Sequence, residues 1–321
     1  MIAMSSHRTY RLFLSLLLLT APGISWAQTT NPQITSSQAR IGRDLELIRA
    51  AEQQHLPAAQ AGALWAELGA EYQHATEFPQ AEDAYNRSLH LLKTAPAAGE
   101  EYAATLDNLA ALYLTYGRVD DAESARNQAL MVRQKLGDSR GIAVSHIHLA
   151  DIALARHQFK KAEKLALQGV EEMKSSSNPP REGMLSGLIT VTYARCFLGH
   201  CDEGLTSAEE AVSFANTHFE PGSAATGFAL ETLGFAKWKS GAAHDGEIAM
   251  VQGIQILRTD LAPADPRLGG ALLQYRAYLL AEDRRAEAKE IHDQVGNMTR
   301  EAGVYCSDCA VSVNSLSKTL R

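Results

Sequence analysis

A small residue recurs along this chain at a nearly constant interval, and this period constrains the fold more than any other feature of the sequence. The intervals between successive copies are 41, 40, 42, 42 and 42 residues. A fixed period of roughly 20 to 50 residues is typical of arrays in which each unit packs only on its neighbours. We therefore expect stacked units rather than one globular core. The recurring residues are Ala81, Ala122, Ala162, Gly204, Gly246 and Ala288.

The first two units carry the clearest signature. The first unit is WAELGAEYQHATEFPQAEDAYNRSL, in which Trp65, Leu68, Gly69 and Tyr72 lie in a first helix and are followed by residues at the spacing of a second helix. The second unit, TLDNLAALYLTYGRVDDAESARNQAL, has the same arrangement. Both segments resemble the tetratricopeptide repeat (TPR), in the long form found in kinesin light chains and their bacterial relatives. The resemblance implies an all-α fold, a right-handed superhelical solenoid of about six helix-turn-helix repeats with capping helices at both ends.

Loop-like segments rich in Pro, Gly, Ser and Asp separate the units. We predict a linker over 28–35 and a single solenoid domain over 36–321. The domain opens with a half repeat at 36–60, whose helix begins near Ser36, and ends with a capping helix at 309–320. The full units are predicted at 62–95, 103–136, 143–174, 185–217, 227–259 and 269–300.

Packing explains why the same pattern of small and large residues recurs from unit to unit. Small residues allow the two helices of a unit to approach closely, and larger apolar residues occupy the space between units. The predicted small contact positions are Gly69, Ala110, Ala150 and Gly234. The predicted core positions between units are Trp65, Tyr72, Leu106, Leu109 and Tyr113.

The amino terminus has the pattern of a signal peptide over residues 1–27. Arg8 and Arg11 precede the apolar run 12–19, and Ser25-Trp26-Ala27 provides a small-x-small cleavage site. An uncleaved membrane anchor is the alternative interpretation, but the apolar run is short for a bilayer span and no second long apolar segment follows. We therefore predict a periplasmic or secreted protein with no stable membrane span after cleavage.

Charge and motif content argue against several function classes. Lys and Arg number 30 against 37 Asp and Glu, which gives a net charge of −7, and no dense basic block occurs. This balance argues against a nucleic-acid partner. The sequence contains no HExxH, no phosphate-binding GxxxxGK[ST] and no GxGxxG after a strand pattern. We predict no catalytic residues, no cofactor and no metal site.

The candidate site is a groove on the inner, concave surface, where the resemblance implies that partner segments bind. In five of the predicted first helices, the inward position two residues after the aligned leucine or equivalent anchor carries a hydrogen-bonding residue. These residues are Asn108, His148, Thr190, Thr232 and Gln274. On the same predicted face lie Asp107, Asp151, Tyr193, Glu231, Phe235 and Trp238. Burial of Phe235 and Trp238 between the fifth and sixth units is the alternative interpretation for these two side chains. A ladder of polar groups beside aromatic side chains suits the backbone of an extended ligand, although an ordinary solvated surface carries similar residues.

The four cysteines are a second group of candidate functional residues. Cys196 and Cys201 flank a turn, and Cys306 and Cys309 form a C-x-x-C motif. Export to an oxidising compartment favours two local disulfides, within each pair. A thiol-redox site at Cys306 and Cys309 and a four-cysteine zinc site remain as alternatives, although the chain lacks a thioredoxin-like strand pattern and the two pairs are far apart in the repeat array.

Three function classes follow from these features. The first is an exported, non-enzymatic scaffold that binds a protein or peptide in the concave groove, an expectation that rests mainly on the resemblance. The second is a self-associating structural module, a homo-oligomer built through the less regular outer units. A thiol-redox protein is the third and weakest reading.

Overall fold

The computed structural model describes residues 32–301, except residues 76, 116, 177 and 178. In this part of the chain there are thirteen α-helices and one short 3₁₀ turn at Pro96–Ala98. The α-helices are α1 (Pro32–Gln53), α2 (Ala58–His74), α3 (Phe78–Leu92), α4 (Gly99–Thr115), α5 (Val119–Leu136), α6 (Ser139–Ala155), α7 (Phe159–Lys174), α8 (Arg181–Phe197), α9 (Cys201–His218), α10 (Ala224–Lys239), α11 (Ala243–Asp260), α12 (Pro266–Ala281) and α13 (Arg285–Glu301).

The helices form an all-α solenoid. α1 packs on α2, and α2 to α13 form six antiparallel-type pairs in which each first helix packs on the second helix that follows it. All six of the recurring small residues predicted from the sequence fall at the fourth residue of a second helix, and all six are buried. The period in the sequence therefore marks the place where the second helix of each unit crosses the first.

The predicted ends of the elements differ from the structure by a few residues. Each first helix from α2 to α12 begins three or four residues before the predicted unit. α1 begins at Pro32 instead of near Ser36, so the last four residues of the predicted linker 28–35 are helical. The predicted signal peptide 1–27 and capping helix 309–320 lie outside the described residues.

A residue with positive φ lies two positions before most of the second helices. Glycine provides it at Gly117, Gly199 and Gly241, with φ values of 72°, 88° and 93°. His157 and Asp283 occupy the same place in two other units, with φ values of 58° and 56°. Left-handed backbone is costly for residues with a Cβ atom, so the shared turn geometry is imposed by the packing of the two helices.

Leucines provide more of the core between the first units than the predicted aromatic residues do. Leu68, Leu106 and Leu109 are buried, as predicted for the two at 106 and 109. Trp65, Tyr72 and Tyr113, which were predicted as core, are only partly buried. An arginine lies on the face of two of these rings: the guanidinium of Arg87 lies 4.7 Å from the Trp65 ring and that of Arg118 lies 4.1 Å from the Tyr113 ring.

The closest helix crossing is between α10 and α11, and glycines make it possible. A Cβ atom built on Gly234 would lie 2.6 Å from the carbonyl oxygen of Gly246 and 2.6 Å from the amide nitrogen of Met250. A Cβ atom on Gly253 would lie 2.5 Å from the carbonyl oxygen of Gly227. These neighbours are backbone atoms and cannot rotate away, so both helices depend on glycine at this crossing.

Candidate binding groove

The first helices of the units form the inner face of the solenoid. Direct contacts join α2 to α4, α6 to α8, α8 to α10 and α10 to α12, whereas each second helix packs on the first helices before and after it. In a curved array the elements that touch from unit to unit lie at the smaller radius. The first helices therefore line the concave side. α4 and α6 make less direct contact with each other than any other pair of successive first helices does.

Long charged side chains occupy the space between α4 and α6. The buried carboxylate of Asp107 accepts a hydrogen bond from Arg133 Nη1 at 2.6 Å and lies 3.1 Å from His148 Nδ1. Arg133 also donates to Ser145 Oγ at 2.9 Å. Burial would raise the pKa of Asp107, but His148 and Arg133 together outweigh this effect and hold the pKa below its ordinary value. Asp107 is therefore ionised at neutral pH and is part of a buried ion-pair cluster.

A second set of polar contacts continues from α6 to α8. Buried Arg126 donates through Nη1 to the backbone carbonyl of His148, and the same nitrogen lies 3.8 Å from Asp151 Oδ2. Asp151 Oδ1 accepts a hydrogen bond from Thr190 Oγ1 at 2.6 Å. The contact between the two first helices therefore depends on an aspartate shared by an arginine and a threonine.

The third set joins α8 to α10 and is mainly aromatic. Tyr193 donates its hydroxyl hydrogen to Glu231 Oε2 at 2.7 Å. The other carboxylate oxygen of Glu231 has no hydrogen-bond partner among the described residues, and only 3% of this residue is exposed. Burial raises the pKa of Glu231 to about 7. The ring of fully buried Phe235 lies 4.8 Å from that of Tyr193 and 6.0 Å from that of Trp238.

Together these contacts form a polar seam along the inner face. The seam consists of Asp107, Arg126, Arg133, His148, Asp151, Thr190, Tyr193 and Glu231. Arg126 and Arg133 were missed by the sequence analysis. Their signal was present, because Arg126, Ala129 and Arg133 are spaced i, i+3, i+7 on the apolar stripe of α5, where a charge needs a buried partner.

The predicted ladder of groove residues changes from exposed to buried along the chain. Asn108 is exposed, and His148 and Asp151 are partly exposed, as are Tyr193 and Trp238. The expectation that the other six face an open groove is wrong, since they lie between helices. These six are Asp107, Thr190, Glu231, Thr232, Phe235 and Gln274. The physical reason is that α8, α10 and α12 contact one another in succession, so this part of each helix lies in the contact instead of on the surface. Asp107 on α4 is instead covered by Arg133 and His148.

The exposed end of the ladder opens into a cavity of about 780 Å³. Its inner wall includes Gln73, His74, Asn108 and Thr115 from α2 and α4. Its opposite wall is formed by the turn between α11 and α12, residues 260–267. The chain therefore returns over the inner face of its first two units. The sequence identified this turn as a loop but carried no local signal for a contact between such distant segments.

The cysteine pair in the fourth unit forms a disulfide. Cys196 near the end of α8 and Cys201 at the start of α9 are bonded, with their Cα atoms 4.0 Å apart, and both are buried. The bond fixes the turn between the two helices of that unit. Cys306 and Cys309 lie outside the described residues.

Two other kinds of site are missing from the described part of the chain. Within residues 32–301, apart from the gaps given above, no group of His, Cys, Asp and Glu side chains is arranged to hold a metal ion. In the same residues no helix is both long enough and apolar enough to cross a membrane. The polar seam and the cavity beside Asn108 are two features of the inner face that a binding function can use.

Comparison with known proteins identifies the class of fold. No protein-family model matches the sequence, and no curated protein matches it. The structure is similar to the apo form of RapI, with a TM-score of 0.65, 11% identity, and 84% of this chain and 96% of that chain covered. It is also similar to a Rap protein complexed with competence and sporulation factor, with a TM-score of 0.61, 17% identity and coverage of 89% and 81%. For NprR in complex with its cognate peptide NprX, the values are 0.58, 12%, 92% and 84%.

Identities this low establish the fold and not the function. The chain belongs by its structure to the class of all-α, TPR-like repeat solenoids.

Proposed function

We propose that this chain is a non-enzymatic scaffold that binds an extended or helical segment of a partner protein in its concave groove. The observation that carries the proposal is the accessible part of the inner face, where Asn108 is exposed and His148 and Asp151 of the polar seam are partly exposed. Amide, imidazole and carboxylate groups can donate to and accept from the backbone of a bound segment. Two similar structures, a Rap protein complexed with competence and sporulation factor and NprR in complex with its cognate peptide NprX, support this proposal.

The first three units are the part of the groove we assign to the partner. Ladder positions in α4 and α6 are accessible, whereas those in α8, α10 and α12 are buried between helices. A segment bound beside Asn108 would also reach the cavity between α4 and the α11–α12 turn. The acidic balance of the chain, 37 acidic against 30 basic residues, favours a partner with some positive charge.

We place this function outside the cytoplasm, in the periplasm or after secretion. The signal-peptide pattern over residues 1–27 is the main support. The disulfide between Cys196 and Cys201 is a second support, because structural disulfides are rare in reducing compartments.

The test is a capture experiment in the native host. The full chain is purified after mild crosslinking as the wild type, as Asn108→Ala/His148→Ala, and as the control Asn127→Ala/His244→Ala. The control removes the same two residue types from exposed positions on the second helices α5 and α11. The captured protein is identified and its affinity is then measured with purified components.

We expect the partner to bind the wild type and the control, and to bind the groove variant at least about tenfold more weakly. Equal affinity for all three forms would show that the partner binds elsewhere. Recovery of this chain alone, with a mass that rises with concentration, would favour the self-associating module instead.

A further inference from the structure

The turn between α11 and α12 has a defined shape that its sequence explains. The amide of Asp265 donates to the carbonyl of Ala262 at 2.9 Å, so residues 262–265 form a β-turn. Pro263 occupies the second position, where its fixed φ is favourable. Pro266 is the first residue of α12, and Asp265 caps that helix by accepting from the amide of Arg267 at 2.8 Å. The turn is therefore rigid without help from the rest of the molecule.

The tip of this turn is seated on the inner side of the first two units. Ala264 packs against a buried cluster of α3 and α4 residues. The cluster consists of Phe78, Ala81, Tyr85, Leu109 and Leu112. A methyl group is small enough to lie against these side chains while the flanking backbone borders the cavity beside Asn108. The contact thus closes the solenoid over the same face that we assign to the partner.

The charged groups of the turn are satisfied on its own side of this contact. Asp265 Oδ2 accepts from Arg267 Nη2 at 2.7 Å. Asp260 Oδ2 accepts from the amide of Ala224 at 2.6 Å. The turn can leave the inner face without breaking these bonds.

We infer that the turn between α11 and α12 occupies the groove of the first two units in the free protein. A partner segment must displace this turn in order to bind there. The segment that replaces it offers the same chemistry, a proline-fixed turn with a small apolar tip and a neighbouring carboxylate. Arg40, which pairs with Glu71 at 2.7 Å, and His74 border the cavity on the inner side and provide donors within it for a carboxylate. The identity of the displacing segment rests on the proposed function, but the closing contact does not.

The first arm of the test concerns the contact alone. Ala264→Glu places a charge among apolar side chains and is expected to release the turn. Thr259→Glu adds the same charge at an exposed position of α11 close to the turn and serves as the control. Small-angle X-ray scattering of the full chain should give a larger radius of gyration for Ala264→Glu than for the wild type and the control. Equal radii for all three folded proteins would overturn the inference.

The second arm asks whether the turn has affinity for the groove when it is supplied separately. The probe is the fluorescein-labelled peptide RTDLAPADPRL, the sequence of residues 258–268. An intramolecular occupant competes at a high effective concentration, so the peptide should bind Ala264→Glu at least about tenfold more tightly than it binds the wild type. A scrambled peptide should bind neither form. Absence of binding to folded Ala264→Glu would overturn the inference.

The wild type provides a readout that does not depend on a variant. Excess unlabelled peptide should displace the native turn and increase the radius of gyration of the wild type, while the scrambled peptide should not. If the solenoid opens in these experiments but Asn108→Ala/His148→Ala still captures the natural partner, the proposed groove function fails and the internal contact stands. If the solenoid never opens and the groove variant loses its partner, the internal contact fails and the proposed function stands.

Discussion

The contact between α4 and α6 and the contact between α8 and α10 occur at equivalent places in the repeat but are built differently. In the first, α5 supplies two buried arginines that pair with Asp107 and Asp151 in the space between the helices. In the second, aromatic rings of Tyr193 and Phe235 pack directly at 4.8 Å, and glycines bring α10 against α11. One region separates its first helices with charge, and the other brings its helices together through glycine and aromatic side chains.

The difference explains why the ladder is accessible at one end only. Where charged side chains hold the helices apart, residues such as Asn108 keep access to the groove. Where the helices touch, Thr190, Thr232 and Gln274 are buried. The same repeat therefore provides a binding surface in one half and a rigid support in the other, and four changes should separate the two roles.

Gly234→Ala should have the largest effect on stability. The added Cβ atom would lie 2.6 Å from two backbone atoms of α11, so the helices would have to separate. We expect a loss of roughly 4 kcal/mol, above the usual cost of overpacking because backbone atoms cannot rotate away. The measurement is urea unfolding followed by circular dichroism. Gly270→Ala is the control, since its Cβ atom meets nothing within 4 Å, and it should not destabilise the protein.

Arg133→Met should destabilise the N-terminal region by about 3 kcal/mol, because Asp107 would keep its buried charge with only His148 as a partner. Arg285→Met is the matched control: its pair with Asp283 is exposed and should contribute less than about 1 kcal/mol. Both are measured by chemical unfolding at neutral pH. Similar losses for the two variants would mean that the buried cluster does not hold α4 and α6 in place.

Glu231→Gln should change how the stability of the C-terminal region depends on pH. Burial raises the pKa of Glu231 to about 7, above the value of roughly 4.3 expected in the unfolded chain. Between these values the folded protein binds a proton that the unfolded chain has lost. The free energy of unfolding contributed by this group therefore falls as the pH rises from 4.3 through 7.

The neutral glutamine removes this dependence and should make the variant more stable than the wild type at pH 8, by on the order of 2 kcal/mol. The midpoint of urea unfolding measured from pH 5 to pH 8 is the readout. Glu209→Gln, at an exposed position of α9, should keep the slope of the wild type. A wild-type slope in Glu231→Gln would show that Glu231 ionises normally in the folded state.

The sequence predicted the units well because their period is a local property. Each recurring small residue needs only its own helix pair, and all six are found at the same helical position. Exposure of the ladder could not be predicted in the same way. It depends on the distance between successive first helices, which Arg126, Arg133 and Gly234 set through contacts with other elements. The cavity beside Asn108 depends on the curvature summed over all the units, because its second wall comes from the turn at 260–267.

The smallest expected effects on stability come from substitutions at the same ladder position in two regions, α8 and α4. Thr190→Ala removes the hydroxyl that donates to Asp151 at 2.6 Å and should cost about 1 kcal/mol. Asn108→Ala alters an exposed residue of α4 and should change stability by less than about 0.5 kcal/mol. Thermal unfolding of both variants in one buffer resolves such a difference if the two curves keep the same steepness. Equal losses would mean that Asn108 also contributes to packing between units, and its role in the groove would then require a variant that preserves its side-chain volume. A loss at Thr190 alone would assign structural support to the later units and leave Asn108 available for a partner.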